Sequence, residues 1–369
     1  VSVREARPRW RRIVLRILLA GSSLAVAVVV AGLVWLANAD LNRYRDDLSA
    51  WLSGLLGRRL SVEGDLELSL SLSPRIVAES ITLAGADWSD EPEMARIDRL
   101  EGRIDLWSLL SGPVRVEELK VSRGAVRVEL DERGRVNWGL DVAGGSGGGS
   151  RRVPVVFVDV ALEDVEAVYR DARSGFEVRL KVDTLAAHLD PDSTLVLHAV
   201  GDLGGEALEL DGRLGPYQQL FLGGALEHEL EARVGDVDVA FAGRVERLFS
   251  LAGPSWRAEV SGPEARSVGA LLGTELPVRG PFRLEARATD QDDAVGVGCD
   301  LRTDTVEGRV EGTIAALLEP GTFDLELDAR AADASALGDA FGVDGLPAAE
   351  LRAGGRATRD ERGLKLGGV

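Results

Sequence analysis

The 369 residues include one cysteine, one methionine, three histidines and three lysines. A lone Cys299 has no partner for an intrachain disulfide and cannot assemble a thiolate zinc site. His188, His198 and His228 stand on separate segments, which leaves little material for a histidine metal centre or a catalytic triad. Aromatics are only 5% of the chain, and the net charge is −18. So acidic a chain is poorly matched to a phosphate backbone, which argues against a nucleic-acid partner. Apolar residues are not scarce. They make up 45%, beside 28% charged residues, a composition that folds.

The charge is unevenly placed. Arg4, Arg7, Arg9, Arg11, Arg12 and Arg16 against Glu5 give residues 1–39 a net +5, which leaves −23 on the other 330. Ile17 to Ala37 is a run of 21 residues without a charge. At about 1.5 Å per residue it reaches ~30 Å, the thickness of a bilayer hydrocarbon core. Trp10 and Trp35 stand near its ends, where amphipathic rings settle. The pattern predicts a retained transmembrane helix with a cytoplasmic N-terminus and the rest of the chain across the membrane. Ala37-Asn38-Ala39 has the look of a signal cleavage site, but a signal peptide's apolar core is ~7–15 residues, shorter than this run.

Residues 40–57 read as an amphipathic helix, with Leu41, Tyr44, Leu48, Trp51, Leu52, Leu55 and Leu56 on one stripe and Gly57 as a stop. The period then changes to two. Leu60, Val62, Leu66, Leu68, Leu70 and Leu72 alternate with Ser61, Glu63, Asp65, Glu67, Ser69 and Ser71, the mark of a strand with one greasy and one wet face. The texture recurs at Val126, Val128 and Leu130, at Phe176, Val178, Leu180 and Val182, at Val237, Val239 and Phe241, and at Phe323, Leu325 and Leu327. Turn clusters such as Asp131–Gly134, Asp171–Gly175 and Asp190–Ser193 separate these runs. The expected fold is mainly β: one transmembrane helix, then an elongated, twisted antiparallel β-sheet groove with short helices. Some 25 strands would give it a length on the order of 100 Å.

Ala143 to Ser150 is a Gly/Ser stretch, expected to be a linker or loop. It divides a β region at 58–142 from a longer one at 151–369. The second region repeats itself: Ser267–Gly273 resembles Ala336–Gly342, and Gly243, Trp256 and Arg287-Ala288-Thr289 answer Gly312, Leu325 and Arg356-Ala357-Thr358 at an offset of 69. A fixed period marks an array in which each unit buries its face on its neighbour. The second copy runs out at Val369, so the array is expected to be incomplete.

No nucleophile motif, P-loop, dinucleotide fingerprint or metal-ligand spacing occurs. The carboxylates fall at alternate strand positions or in turns, as a solvated face requires. Cys299 lies on an apolar face and reads as a packed thiol. The expectation is no enzyme, no cofactor and no metal. A sheet with one greasy face must close, pack on a second layer, or hold something apolar. Leu66, Leu68, Leu70, Val126, Val128, Val178, Leu180, Val239 and Leu325 are expected to line one aliphatic interior suited to acyl chains. A plain sandwich core is the competing reading.

Arg59–Leu68, Leu72–Ala78, Ala84–Ser89, Glu93–Arg96, Leu109–Gly112 and Gly134–Trp138, in that order after a single apolar segment, resemble the N-terminal region of the AsmA family. The resemblance covers about Ile13 to Trp138 closely and the rest more loosely. It implies an inner-membrane-anchored protein whose periplasmic β-sheet forms a groove with an aliphatic floor. It also implies phospholipid as cargo toward the outer membrane, or alternatively a role as assembly factor for outer-membrane proteins. The family's distal part is missing here, so the chain is expected to be a truncated member. An envelope glycan hydrolase, the remaining reading, would need two carboxylates converging in a cleft.

Overall fold

The computed structural model describes residues 41–69, 73–108, 113–137, 155–247, 252–265, 280–291, 294–315, 322–335, 348–360 and 363–368. The expected transmembrane helix and the Gly/Ser stretch lie outside them. Among the described residues no helix is long and apolar enough to cross a membrane.

A single-turn helix, Leu41–Tyr44, leads into α1 (Arg45–Leu56). The strands follow: β1 Leu60–Val62, β2 Leu66–Ser69, β3 Arg75–Ala84, β4 Glu93–Asp105, β5 Val114–Leu130 and β6 Val155–Asp171. Next come β7 Phe176–Leu189, β8 Leu195–Leu203, β9 Glu206–Gly215, the short α2 Gln219–Leu222, and β10 Leu226–Val234. Then come β11 Val237–Arg247, β12 Ala252–Gly262, β13 Phe282–Gln291 and β14 Ala294–Thr303. The last four are β15 Val306–Ile314, β16 Phe323–Ala331, β17 Leu351–Asp360 and β18 Gly363–Gly368.

All 18 strands of the described residues belong to one sheet, and each pairs with its neighbour in sequence from β3 to β18. Because β1 and β2 share one edge of β3, the sheet has 17 ladder positions. Sixteen steps at ~4.8 Å make the described sheet about 77 Å across. The pairing is antiparallel with one correction to the expectation: β5 and β6 run parallel. A parallel pair needs a long crossover rather than a hairpin, and residues 131–154, which contain the Gly/Ser stretch, supply that length.

The strands are bent at a common level. The apolar alternation skips a beat between Ala78 and Ile81, Ile97 and Leu100, Val121 and Gly124, Leu162 and Val165, and Val182 and Leu185. In each strand two successive residues then face the outer side, and Ser80, Arg123 and Asp164 take φ values of 53°, 54° and 52°. Across this level register is kept from β3 to β7 because every strand carries the extra residue; the slips at Leu83/Ala84 and Arg103/Ile104 lie elsewhere on the strands. Next to β8, which lacks it, the register shifts between Val182 and Thr184. Gly201 sits opposite that slip, where a Cβ would lie 1.9 Å from the Lys181 carbonyl oxygen. At the other side the same level separates β1 from β2. Extra residues on the outer face lengthen it, so each strand curves toward its apolar side.

The 69-residue period appears as two four-strand units, β11–β14 and β15–β18, whose strands start at 237, 252, 282, 294 and at 306, 323, 351, 363. Gly243 and Gly312 take φ values of 156° and 157°. The amide of Ala265 bonds to the Gly280 carbonyl at 3.0 Å, and that of Ala334 to Ala349 at 2.9 Å, again 69 residues on.

Candidate binding groove

Directly paired residues point to the same face of a sheet, so the faces can be traced strand by strand. One row runs Leu66, Ala78, Leu100, Val121, Leu162, Leu185, Ala199, Leu210, Ala232, Val239. It continues through Val260, Leu284, Leu301, Gly308, Ala329 and Ala353, apolar at every step. Leu68 lies on the neighbouring row with Ile76, Leu119, Val160 and Leu230. Val126 shares the face through Ala167 and Leu180, and Val128 through Tyr169 and Val178. Leu325 joins it through Gly312, Val297, Ala288 and Trp256. Thus Leu66, Leu68, Val126, Val128, Val178, Leu180, Val239 and Leu325 all stand on one face, while Leu70 lies outside the described residues.

Of these eight only Leu66 is fully buried; the other seven are half-exposed. Among the described residues the strands make substantial contact only with their ladder neighbours, and no second layer of described elements lies over the floor. Local plugs exist: Leu48 of α1 packs on Val62, Leu66, Ala78 and Ile81, and Ala265 packs on Val237 and Phe282.

The edge formed by β1 and β2 is covered by α1 and the single turn before it. Ser49 Oγ accepts from the Val62 amide at 3.2 Å, Ser53 Oγ from Leu60 at 2.8 Å, and Asn42 Oδ1 from Leu66 at 3.0 Å. These side chains satisfy amides that an open edge would offer to another strand.

The outer face carries the charge as a ladder of ion pairs. Asp300 lies between Arg309 at 2.6 Å and Arg287 at 3.3 Å on the flanking strands, and the hydrogen bond from Arg309 chiefly holds its carboxyl below the usual range. Burial, then the neighbouring Asp300, pushes the Cys299 thiol up, which keeps it protonated and unreactive. On the outer face His198 and Asp211 lie 2.9 Å apart with Glu209 beside them, a fully exposed group able to approach a cation.

The sequence reading assigned His228 no role, yet it lies on the apolar floor. Its neighbours on the row are Leu214, Gly243 and Trp256. The ring stacks on Phe241 at 4.5 Å, and Phe241 tilts against Trp256 at 5.4 Å. Nε2 is buried without a hydrogen-bond partner, and burial lowers the pKa, so the ring is neutral at pH 7. The signal was present: in Leu226-Glu227-His228-Glu229-Leu230, histidine takes the apolar beat.

Two pieces of the sequence resemblance meet at the far end of β5. Arg135 lies over the Trp88 ring at 5.2 Å, and Ser89 Oγ donates to the buried Glu129 carboxylate. Asn137, 1% exposed, accepts from the Glu129 amide at 2.8 Å and donates to the Arg127 carbonyl at 2.9 Å.

Among the described residues, a single-layer sheet with one charged face and one largely half-exposed aliphatic face forms an open β-trough. The sequence profile of the AsmA family matches residues 11–146. The chain is also similar to the AsmA family protein YhjG of Escherichia coli K12, 23% identical over 300 residues, covering 72% of this chain and 44% of that protein. No solved structure matches. The family match covers the first part of the chain, and the chain spans under half the length of the curated relative it resembles.

Proposed function

We propose that this protein is an inner-membrane-anchored, periplasmic lipid conduit whose apolar floor carries phospholipid acyl chains between the inner and outer membranes. The observation that supports this most is the unbroken apolar row from β2 to β17, most of it at least half-exposed, with no second layer over it among the described residues. At ~0.8 kcal/mol per CH₂, drawing a sixteen-carbon chain into water costs on the order of 12 kcal/mol. A continuous aliphatic floor removes most of that cost without a catalytic group. The anchor is the apolar run Ile17–Ala37, with the Arg-rich head in the cytoplasm.

A second reading, a scaffold for outer-membrane proteins, draws on one feature. Among the described residues β18 is paired with β17 alone, an arrangement of the kind that strand addition by a client would extend. Native mass spectrometry of the full chain released from detergent distinguishes the two. Bound phospholipid supports the conduit; a lipid-free chain that binds extended β-peptides supports the scaffold.

A further inference from the structure

Among the described residues, His228 Nε2 is the one buried side-chain polar atom without a hydrogen-bond partner. Such a group costs stability unless something bound supplies what the fold withholds. The imidazole as a whole is half-exposed on the apolar floor. The floor positions beside it are uncharged: Gly212 and Leu214 on β9, Leu226 and Leu230 on β10, Phe241 and Gly243 on β11. Glu227 and Glu229 of its own strand alternate onto the outer face. The ring, kept neutral by burial, therefore carries one N–H and meets no carboxylate.

The 69-residue period supplies an internal comparison. His228, Phe241 and Trp256 fall on Val297, Val310 and Leu325 one unit later. The pairings are the same in both places: His228, Gly243 and Trp256 lie side by side across three strands, as do Val297, Gly312 and Leu325. The two glycines share φ values of 156° and 157°. One backbone thus accepts a wholly aliphatic trio at these positions. Folding the sheet does not call for a histidine and two aromatic rings there.

The chemistry of the trio matches one level of a lipid. Aromatic rings with a polar handle settle where acyl chains join the headgroups, and aliphatic side chains settle among the tails. In a diacyl phospholipid that junction is a pair of ester linkages, whose carbonyls accept hydrogen bonds and donate none. An N–H with no acceptor, beside a ring stacked at 4.5 Å and a tilted indole, is complementary to it.

We infer that His228, Phe241 and Trp256 form a station for the glycerol-ester junction of a diacyl phospholipid, at which the imidazole Nε2–H donates to an ester carbonyl and the rings pack on the first methylenes. This rests on the conduit reading above and deepens it: the tails lie on the flanking aliphatic rows, and the trio fixes where along the trough a lipid pauses. Nε2 reaches the carbonyl by a turn of the half-exposed ring about its Cβ–Cγ bond.

The test is competition between two phosphatidylcholines with identical saturated tails, one ester-linked and one ether-linked, read as relative occupancy of the full chain by native mass spectrometry. The pair differs in the carbonyls alone. The inference expects the parent chain to favour the ester lipid roughly two- to tenfold, the worth of one hydrogen bond. His228→Phe, which keeps a ring against Phe241, should take both lipids equally. His228→Gln, which restores an N–H donor, should recover part of the preference. Uptake of the ether lipid by each variant shows that it has folded. If the parent binds both lipids without preference, or His228→Phe keeps the preference, the inference is overturned while the conduit stands. If the parent binds neither lipid, the conduit itself fails and the inference falls with it.

Discussion

Leu325→Asp and Val237→Asp place the same charge on the same face but should give opposite outcomes. Leu325 is half-exposed and lies between Gly312 and Ala357, whose small side chains leave solvent access. Full burial of a leucine stabilises by ~1.5–3 kcal/mol, so losing a half-buried one, with a carboxylate that reaches water, costs about 1–2 kcal/mol. Val237 is 1% exposed, sealed by Ala265 and Phe282. An unpaired carboxylate there adds several kcal/mol of desolvation, about 4 kcal/mol or more in all, a large share of a domain's ~5–15 kcal/mol. Circular dichroism in urea reads both. Leu325→Asp should keep the β spectrum with a modestly lower midpoint and lose lipid loading, while Val237→Asp should lose its folded baseline. If Leu325→Asp unfolds like Val237→Asp, the floor is a covered core and the open-trough reasoning is wrong.

Gly243→Ala and Gly312→Ala should each destabilise by on the order of 3 kcal/mol, and by similar amounts in thermal melts, because a Cβ would lie 2.3 Å from the Ser255 oxygen in one unit and 2.0 Å from the Asp324 oxygen in the other. Acidification should weaken the β9–β12 region through His228. Burial lowers its folded pKa below 6.5, so its contribution is complete above that value, declines as pH falls through it, and levels off under the folded pKa. Hydrogen exchange should show this in the parent chain and not in His228→Phe, which keeps the stack on Phe241. Asn137→Ala should cost about 2–3 kcal/mol in denaturant titration, since it orphans the Glu129 amide and the Arg127 carbonyl together.

Much of the trough was legible because strand alternation states which side chains share a face. Leu66 and Leu68 could be assigned to the floor from their even positions alone, and the 69-residue offset located matching strands before any coordinates. The line of bends was also written in the sequence, as the polar doublets Asp98-Arg99 and Glu163-Asp164, but an isolated skipped beat reads as noise until five adjacent strands show it at one level. The parallel β5–β6 pair was hidden, since both strands alternate like their antiparallel neighbours and only the length of the crossover differs. His228 was missed because residue type was weighed above phase. Alternation also says nothing about what lies over an apolar face, so the lack of a second layer among the described residues had to come from the structure.

The central claim is that this face meets acyl chains. Photo-crosslinking side chains placed singly at Val178, Val239 and Leu325, and at the outward neighbours Arg179, Asp238 and Glu326, test it in membranes with radiolabelled phospholipid. The account predicts lipid adducts at the three inward positions and none at the three outward ones. Equal labelling on both faces, or none on the inward face, would contradict it.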